Sequence, residues 1–393
     1  MNPALGLGLL LAGLLTAEGL LKPHLSLKNQ EAASQAQAQK GRAAAQQLSR
    51  PNMDFGFKLY KNLASASPSK NILFSPVTIS TAFCMLCLGT QNATLAEIKQ
   101  GLNLRNVPKE ELHEGFHYLV QSLNQDDQNL QVSLKTALFI DQRLRLDKRF
   151  LTSAKNLYGA NSIPTNFQSK DNARKKINDY VSQNTQGKIN TLIKNIDPGT
   201  VMLLVNYILF RARWKYEFDP KLTKDEDFVV NENKPVKVPM MFHGGKYEVV
   251  RDDQLPCTVL AMPYHSNITA LFVLPREGQM RQVEEALGMD TLDRWKKLMM
   301  RRVVDVSVPR FSILGTYDLK KILSYMGITK VFEENGGAQG QAEDGREGHG
   351  GCCGLWDGDA AHGEAAGLQA EQTLSGHHCG EPPVHHTLPG QDH

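Results

Sequence analysis

The chain has 393 residues, with 44 Lys and Arg against 41 Asp and Glu, a net charge of +3 and 41% hydrophobic residues. That balance fits a globular protein of one large or a few ordinary domains, and it is too weakly basic to argue for nucleic acid. Six Cys in so long a chain exclude a scaffold built on disulfides, and no strip of Arg or Lys interleaved with aromatics marks a nucleic-acid surface.

Residues 1–19 read as a cleaved secretory signal, which implies an extracellular protein. Leu5 to Leu15 is an apolar run too short to span a bilayer, followed by Thr16, Ala17, Glu18 and Gly19. No other stretch reaches spanning length, so no membrane partner is expected. Secretion gives meaning to two glycosylation sequons, Asn92-Ala-Thr94 and Asn267-Ile-Thr269. Residues 20–47 are polar and rich in Ala and Gln, and suit a mobile arm or a weakly held helix.

A globular body is expected over 48–336. Phe55, Leu59 and Leu63 fall on one helical face. Phe74-Ser-Pro76 opens a second helix, Val77 to Leu88, apolar nearly all round and so buried, with Pro at its start and Gly89 at its end. Val132, Leu134, Leu138 and Ile140 keep a period of two, with Thr136 filling the gap, which predicts a strand. Ala173 to Val181 is helical and stops near Gly187. Val201 to Phe210 and Thr269 to Pro275 are apolar on both faces and read as interior strands of a covered sheet. Val304 to Phe311 alternates as a half-buried strand should, and Tyr317 to Tyr325 is a helix closed by Gly327. Strands and helices mix without a βαβ rhythm, which points to one α+β unit.

Several motifs invite a chemical reading. His113-Glu-Gly-Phe-His117 matches the H-E-x-x-H arrangement of zinc proteases. No third ligand follows, however, and Leu112, Phe116, Leu119 and Leu123 explain the segment as a packed helix. Cys84-Met-Leu-Cys87 has redox spacing inside the buried helix, where Cys acts as a small hydrophobe. Ser75 lacks the G-x-S-x-G setting of a hydrolase. No catalytic residue, metal site or cofactor emerges, so the chain is not expected to be an enzyme. Arg211, Arg213, Lys215, Arg301 and Arg302 would suit a polyanion such as a glycosaminoglycan, against the plainer reading of scattered solvated charge.

From Gly337 to His393 the composition changes. There is no Lys, Ile, Phe or Tyr, and His349, His362, His377, His378, His385, His386 and His393 appear among clustered Gly. Such a segment buries too little apolar surface to offset its ordering entropy, so 337–393 is expected to be disordered or misfitted.

Between Asn52 and Gly336 the chain resembles a serpin. The resemblance is carried by Asn71-Ile-Leu-Phe-Ser-Pro-Val-Thr-Ile-Ser80, by Ile177-Asn178 with Thr185-Gln-Gly-Lys-Ile189, and by Leu204-Val-Asn-Tyr-Ile-Leu-Phe210 with Trp214. It continues through Val236-Lys-Val-Pro-Met-Met241 and Tyr317-Asp-Leu-Lys320 to Met326-Gly-Ile328 and Val331-Phe332. It implies three β-sheets, about nine α-helices and an exposed reactive loop that baits a serine protease and then inserts into the large sheet. By position, Ser75, Thr78 and Asn206 would form the shutter where that sheet opens, and Trp214 would lie in the breach where the loop enters.

The C-terminal words of the family are absent in frame, so no reactive loop is readable. Back-translated and read one nucleotide later, Gln341 to Gly354 spells KLKMDERGTEGAAG, a small-residue hinge. Asp357 to Ala366 spells TETLPMERPL, a bait-like loop, and Gln372 to Asp392 spells KPYLVIIVENLPSIILFLGKI, two apolar strand-like runs. The expectation is a secreted serine-protease inhibitor whose tail is out of frame, leaving this polypeptide non-inhibitory, monomeric and prone to polymerise through open sheet edges. The alternative is a non-inhibitory serpin that carries or binds a ligand.

Overall fold

The computed structural model describes residues 28–67, 70–124, 129–229, 235–310, 313–332 and 349–356. The expected signal over 1–19 and all of the tail except 349–356 lie outside them.

Lys28–Ala66 forms one helix of 39 residues, α1, which runs through Pro51. Leu48, Phe55, Leu59 and Leu63 bury into one core, while Phe57 and Tyr60 bury into another. Helix α1 runs through residue 47, where the boundary between arm and body was expected. The helical alternative holds from residue 28, and the helix does not break there.

Helix α2 (Pro76–Leu86) begins on a Pro whose missing N–H is no loss at a helix start, and Ile79 to Leu86 are buried. Around it stand α3 (Asn92–Gly101), α4 (Lys109–Leu123) and α5 (Lys148–Tyr158). Gly115 of α4 is needed for packing: a Cβ there would lie 2.6 Å from Leu48 Cδ1. The remaining helices are α6 (Lys170–Asn184), α7 (Met280–Ala286), α8 (Met289–Leu298) and α9 (Leu319–Tyr325), nine in all among the described residues.

The large sheet contains β1 (Leu130–Asp141), β2 (Asn161–Thr165), β3 (Met202–Ala212), β9 (Ile313–Asp318) and β10 (His349–Trp356), in the order β2-β1-β3-β10-β9. The expected helix from Tyr317 is corrected at its start, because Tyr317 and Asp318 extend β9 and the helix begins at Leu319. The second sheet contains β4 (Lys224–Val229), β5 (Pro235–Asp252), β6 (Cys257–Pro263), β7 (Thr269–Pro275) and β8 (Met300–Pro309). Three sheets were implied, and the described strands form two. The reason is the 18-residue β5, which pairs β4 with its first residues, β8 with its middle and β6 with its end.

One short piece of the tail is described. His349–Trp356 is ordered as β10, parallel to β3 and antiparallel to β9. Strand pairing draws on backbone N–H and C=O, which Gly350, Gly351 and Gly354 possess like any residue. Over these eight residues the neighbouring edges of β3 and β9 are paired, and the rest of 337–393 lies outside the described residues.

Candidate functional site

The start of α2 is organised by its own cap. Ser75 has extended backbone (φ −114°, ψ 113°), and its Oγ accepts from the Thr78 N–H at 3.3 Å. Thr78 Oγ1 in turn donates to the Ser75 carbonyl at 2.8 Å. Behind this turn, Ile79 and Phe83 share a core with Leu204 of β3, so the cap sits against the large sheet. Two residues along β3, buried Asn206 donates from Nδ2 to Thr136 Oγ1 at 2.9 Å. The two lie directly opposite in the β1–β3 ladder. Thus Ser75 and Thr78 bond each other, Asn206 bonds Thr136, and the packing of α2 on β3 brings the two pairs onto one part of the sheet.

Trp214 follows the end of β3 and makes an isolated antiparallel bridge with Tyr264. The rings stack at 4.2 Å between centroids with 12° between planes, and Phe218 and Phe272 close around the indole. The stack joins the large sheet to the second sheet at one corner.

The H-E-x-x-H helix has other business. His113 Nδ1 shares a 2.6 Å hydrogen bond with the Tyr158 hydroxyl, and His117 Nδ1 donates to the Leu157 carbonyl at 2.9 Å. Both imidazoles are thus used to fix α4 against the end of α5, and Glu114 pairs with Lys40 of α1. Burial pushes the His113 imidazole down to about 4, with Lys109 adding to the effect and Glu110 opposing it. Cys84 and Cys87 are buried free thiols, and desolvation holds Cys84 well above its ordinary value. Cys257, buried in the second sheet, is pushed up to about 12 by desolvation first and by Asp252 next.

Both sequon asparagines are exposed: Asn92 opens α3 with a left-handed backbone (φ 50°), and Asn267 lies in the β6–β7 turn. Of the five cations read as a polyanion set, Arg213, Lys215, Arg301 and Arg302 are exposed and Arg211 is half-buried. They divide between the end of β3 and the start of β8.

A profile described as Serpin (serine protease inhibitor) matches residues 50–345, three quarters of the chain. The chain belongs to the serpin family. Serpin A12 of Homo sapiens is 59% identical over 336 residues, 86% of this chain and 81% of that protein. Serpin A12 of Rattus norvegicus is 54% identical, over 86% and 82%. These relatives support a likeness to vaspin, which is Serpin A12. Among solved structures, human thyroxine-binding globulin complexed with thyroxine superposes with a TM-score of 0.77 at 38% identity, covering 83% of this chain and 89% of that one. Human glycosylated kallistatin gives 0.77 at 34%, over 84% and 91%.

The expectation that the chain is no enzyme, drawn from missing catalytic motifs, needs correction in its ground. Missing motifs do not set this serpin's relation to enzymes. The family does, and it describes an inhibitor of serine proteases. Sequence reading also missed what supports the named residues. Thr136 showed itself only as a polar break in an apolar alternation, and the stack of Tyr264 on Trp214 had no local signal at all.

Proposed function

We propose that this serpin is built as a secreted serine-protease inhibitor, and that the polypeptide carrying the present tail does not inhibit. In such an inhibitor the protease's serine attacks a bait carbonyl, and loop insertion into the large sheet then traps the acyl-enzyme. The observation that carries the reading is the make-up of β10. Its residues His349–Trp356 overlap the stretch whose shifted frame spells the hinge GTEGAAG, yet as translated they pair between β3 and β9. In this reading Ser75, Thr78 and Asn206 are the shutter, Trp214 lines the breach, and Asn92 and Asn267 carry glycans. The exposed cations are offered to a glycosaminoglycan.

The domain plan proposed with it is a signal over 1–19, a polar segment over 20–47, the serpin body over 48–336 and an out-of-frame tail over 337–393. A second reading, a ligand carrier, is favoured by the likeness to thyroxine-binding globulin solved with thyroxine. Against it stands the small-residue hinge in the shifted frame, which suits insertion.

The experiment expresses two chains, one with the present tail and one with the tail restored by the single-nucleotide shift, and challenges each with a panel of serine proteases. A detergent-stable covalent complex from the restored chain alone is expected. Such a complex from the present chain, or none from either, would refute the proposal. Sequencing the transcript across codons 330–345 tests the frame itself.

A further inference from the structure

All of the chain's 12 methionines except Met1 fall among the described residues, and the fold places them unequally. Met53, Met202, Met289 and Met299 are half-buried, Met300 is 57% exposed, and the rest are buried. Met300 opens β8, opposite Val249 at the end of the β5–β8 ladder. Successive strand side chains alternate between faces, so Met300 shares its face with Arg302, which stands opposite Tyr247. Val249 and Tyr247 are buried. Arg302 Nη2 donates to Met300 Sδ at 3.8 Å. Arg301 and Glu248, another opposed pair, lie on the other face of the ladder.

The thiols that would ordinarily meet an oxidant first are withdrawn from it. Cys84, Cys87 and Cys257 are buried, and desolvation keeps Cys84 and Cys257 from becoming thiolates. A thioether needs no deprotonation, because its lone pair is itself the nucleophile. In its attack on a hydroperoxide, the S–O bond forms as the O–O bond breaks. The departing oxygen takes the proton left on the transferred one, so hydrogen peroxide leaves as water. Sulfur gives up two electrons and the peroxide gains them. Negative charge collects on the departing oxygen, and a guanidinium that already reaches the sulfur is placed to donate to it. The sulfoxide oxygen that results is a better acceptor than the thioether sulfur and suits the same N–H. At a buried methionine this oxygen would be forced into the core, whereas at Met300 it enters water.

We propose that Met300 is a site of oxidation by hydroperoxides, with Arg302 assisting the transfer and holding the product oxygen. The test treats the purified full chain with dilute hydrogen peroxide and follows each methionine by peptide mass spectrometry, fragment ions separating Met300 from Met299. Met300 should be converted roughly tenfold or more faster than any other methionine from Met53 to Met326. Thermal unfolding should be unchanged while Met300 alone is converted. In urea the rates should converge, because the fold sets their order. Arg302→Gln should slow the conversion of Met300 severalfold, and Arg302→Lys should recover part of the rate. Conversion of Met300 no faster than that of Met53, Met202, Met289 or Met299 overturns the proposal. So does a rate indifferent to Arg302→Gln, which would leave Met300 an exposed thioether with no assisting group.

Discussion

Asn206 donates to the Thr136 hydroxyl at 2.9 Å directly across β1 and β3, and both side chains are buried. Removing one partner takes this bond from a buried polar group. Thr136→Val should destabilise the protein by roughly 1–3 kcal/mol. The double variant Thr136→Val with Asn206→Leu should cost less than the sum of the single changes. Urea unfolding of the four proteins measures the coupling, and strict additivity would deny that the two act as a pair.

His113 gives a pH dependence whose sign is fixed by burial. Its folded-state value is pushed down to about 4 from the ordinary 6.5, so the folded protein binds a proton less readily than the unfolded chain. The stability from a neutral His113 is complete above about 6.5 and is lost as pH falls toward about 4, on the order of a few kcal/mol. Tyr158, Lys109 and Glu110 face it. Melting temperatures from pH 7 to 4 should fall more steeply for the parent than for His113→Gln, and equal slopes would remove His113 as the cause.

Gly115→Ala should be harmful despite its chemical mildness. The new methyl would meet Leu48 Cδ1 at 2.6 Å and the Ala44 carbonyl carbon at 3.0 Å. One of these contacts is backbone, so α1 and α4 must move apart, at about 1–3 kcal/mol. Replacing Leu48 by Ala in the same chain should relieve only part of the loss.

Trp214→Ala should cost about 3–5 kcal/mol, as a large aromatic removed from a closed core does. Trp214→Phe should cost less. Because Tyr264 stacks on the indole, the near-ultraviolet dichroism of the folded state should also change in both variants, a signal that depends on the stack rather than on stability.

Deleting residues 337–393 should convert the protein to oligomers. β10 pairs β3 on one side and β9 on the other, and its loss opens both edges. Light scattering of the truncated and full chains, at equal concentration, would report the difference.

The parts legible in the sequence were those decided locally. Pro76 and a continuous apolar run announce α2, and β-branched and aromatic residues on both faces announce β3 as an interior strand. The likeness that names Ser75, Thr78, Asn206 and Trp214 also rests on contiguous words. What was not legible depends on distant partners. Tyr317 has helical neighbours after it, yet it belongs to β9 because β10 lies alongside. Two expected sheets merge because β5 is long enough to pair three strands at once. Composition reports side chains and so gave no sign of β10, whose backbone pairs with one strand more than 100 residues earlier and another some 30 residues before it in the chain.

Helix α1 is made early and finished late. Arg50 bonds Asp290 and Asp293, and Lys61 bonds the Glu285 carbonyl, so these partners lie 240, 243 and 224 residues downstream. At about 5–20 residues per second, a ribosome delivers them roughly ten to fifty seconds after the helix emerges. Throughout that interval Phe57 and Tyr60 lack the half of their core that comes from Val283 to Trp295. A nascent chain in that condition is a client for chaperones, and its yield in cells should respond to translation speed before it responds to any change at the protein surface.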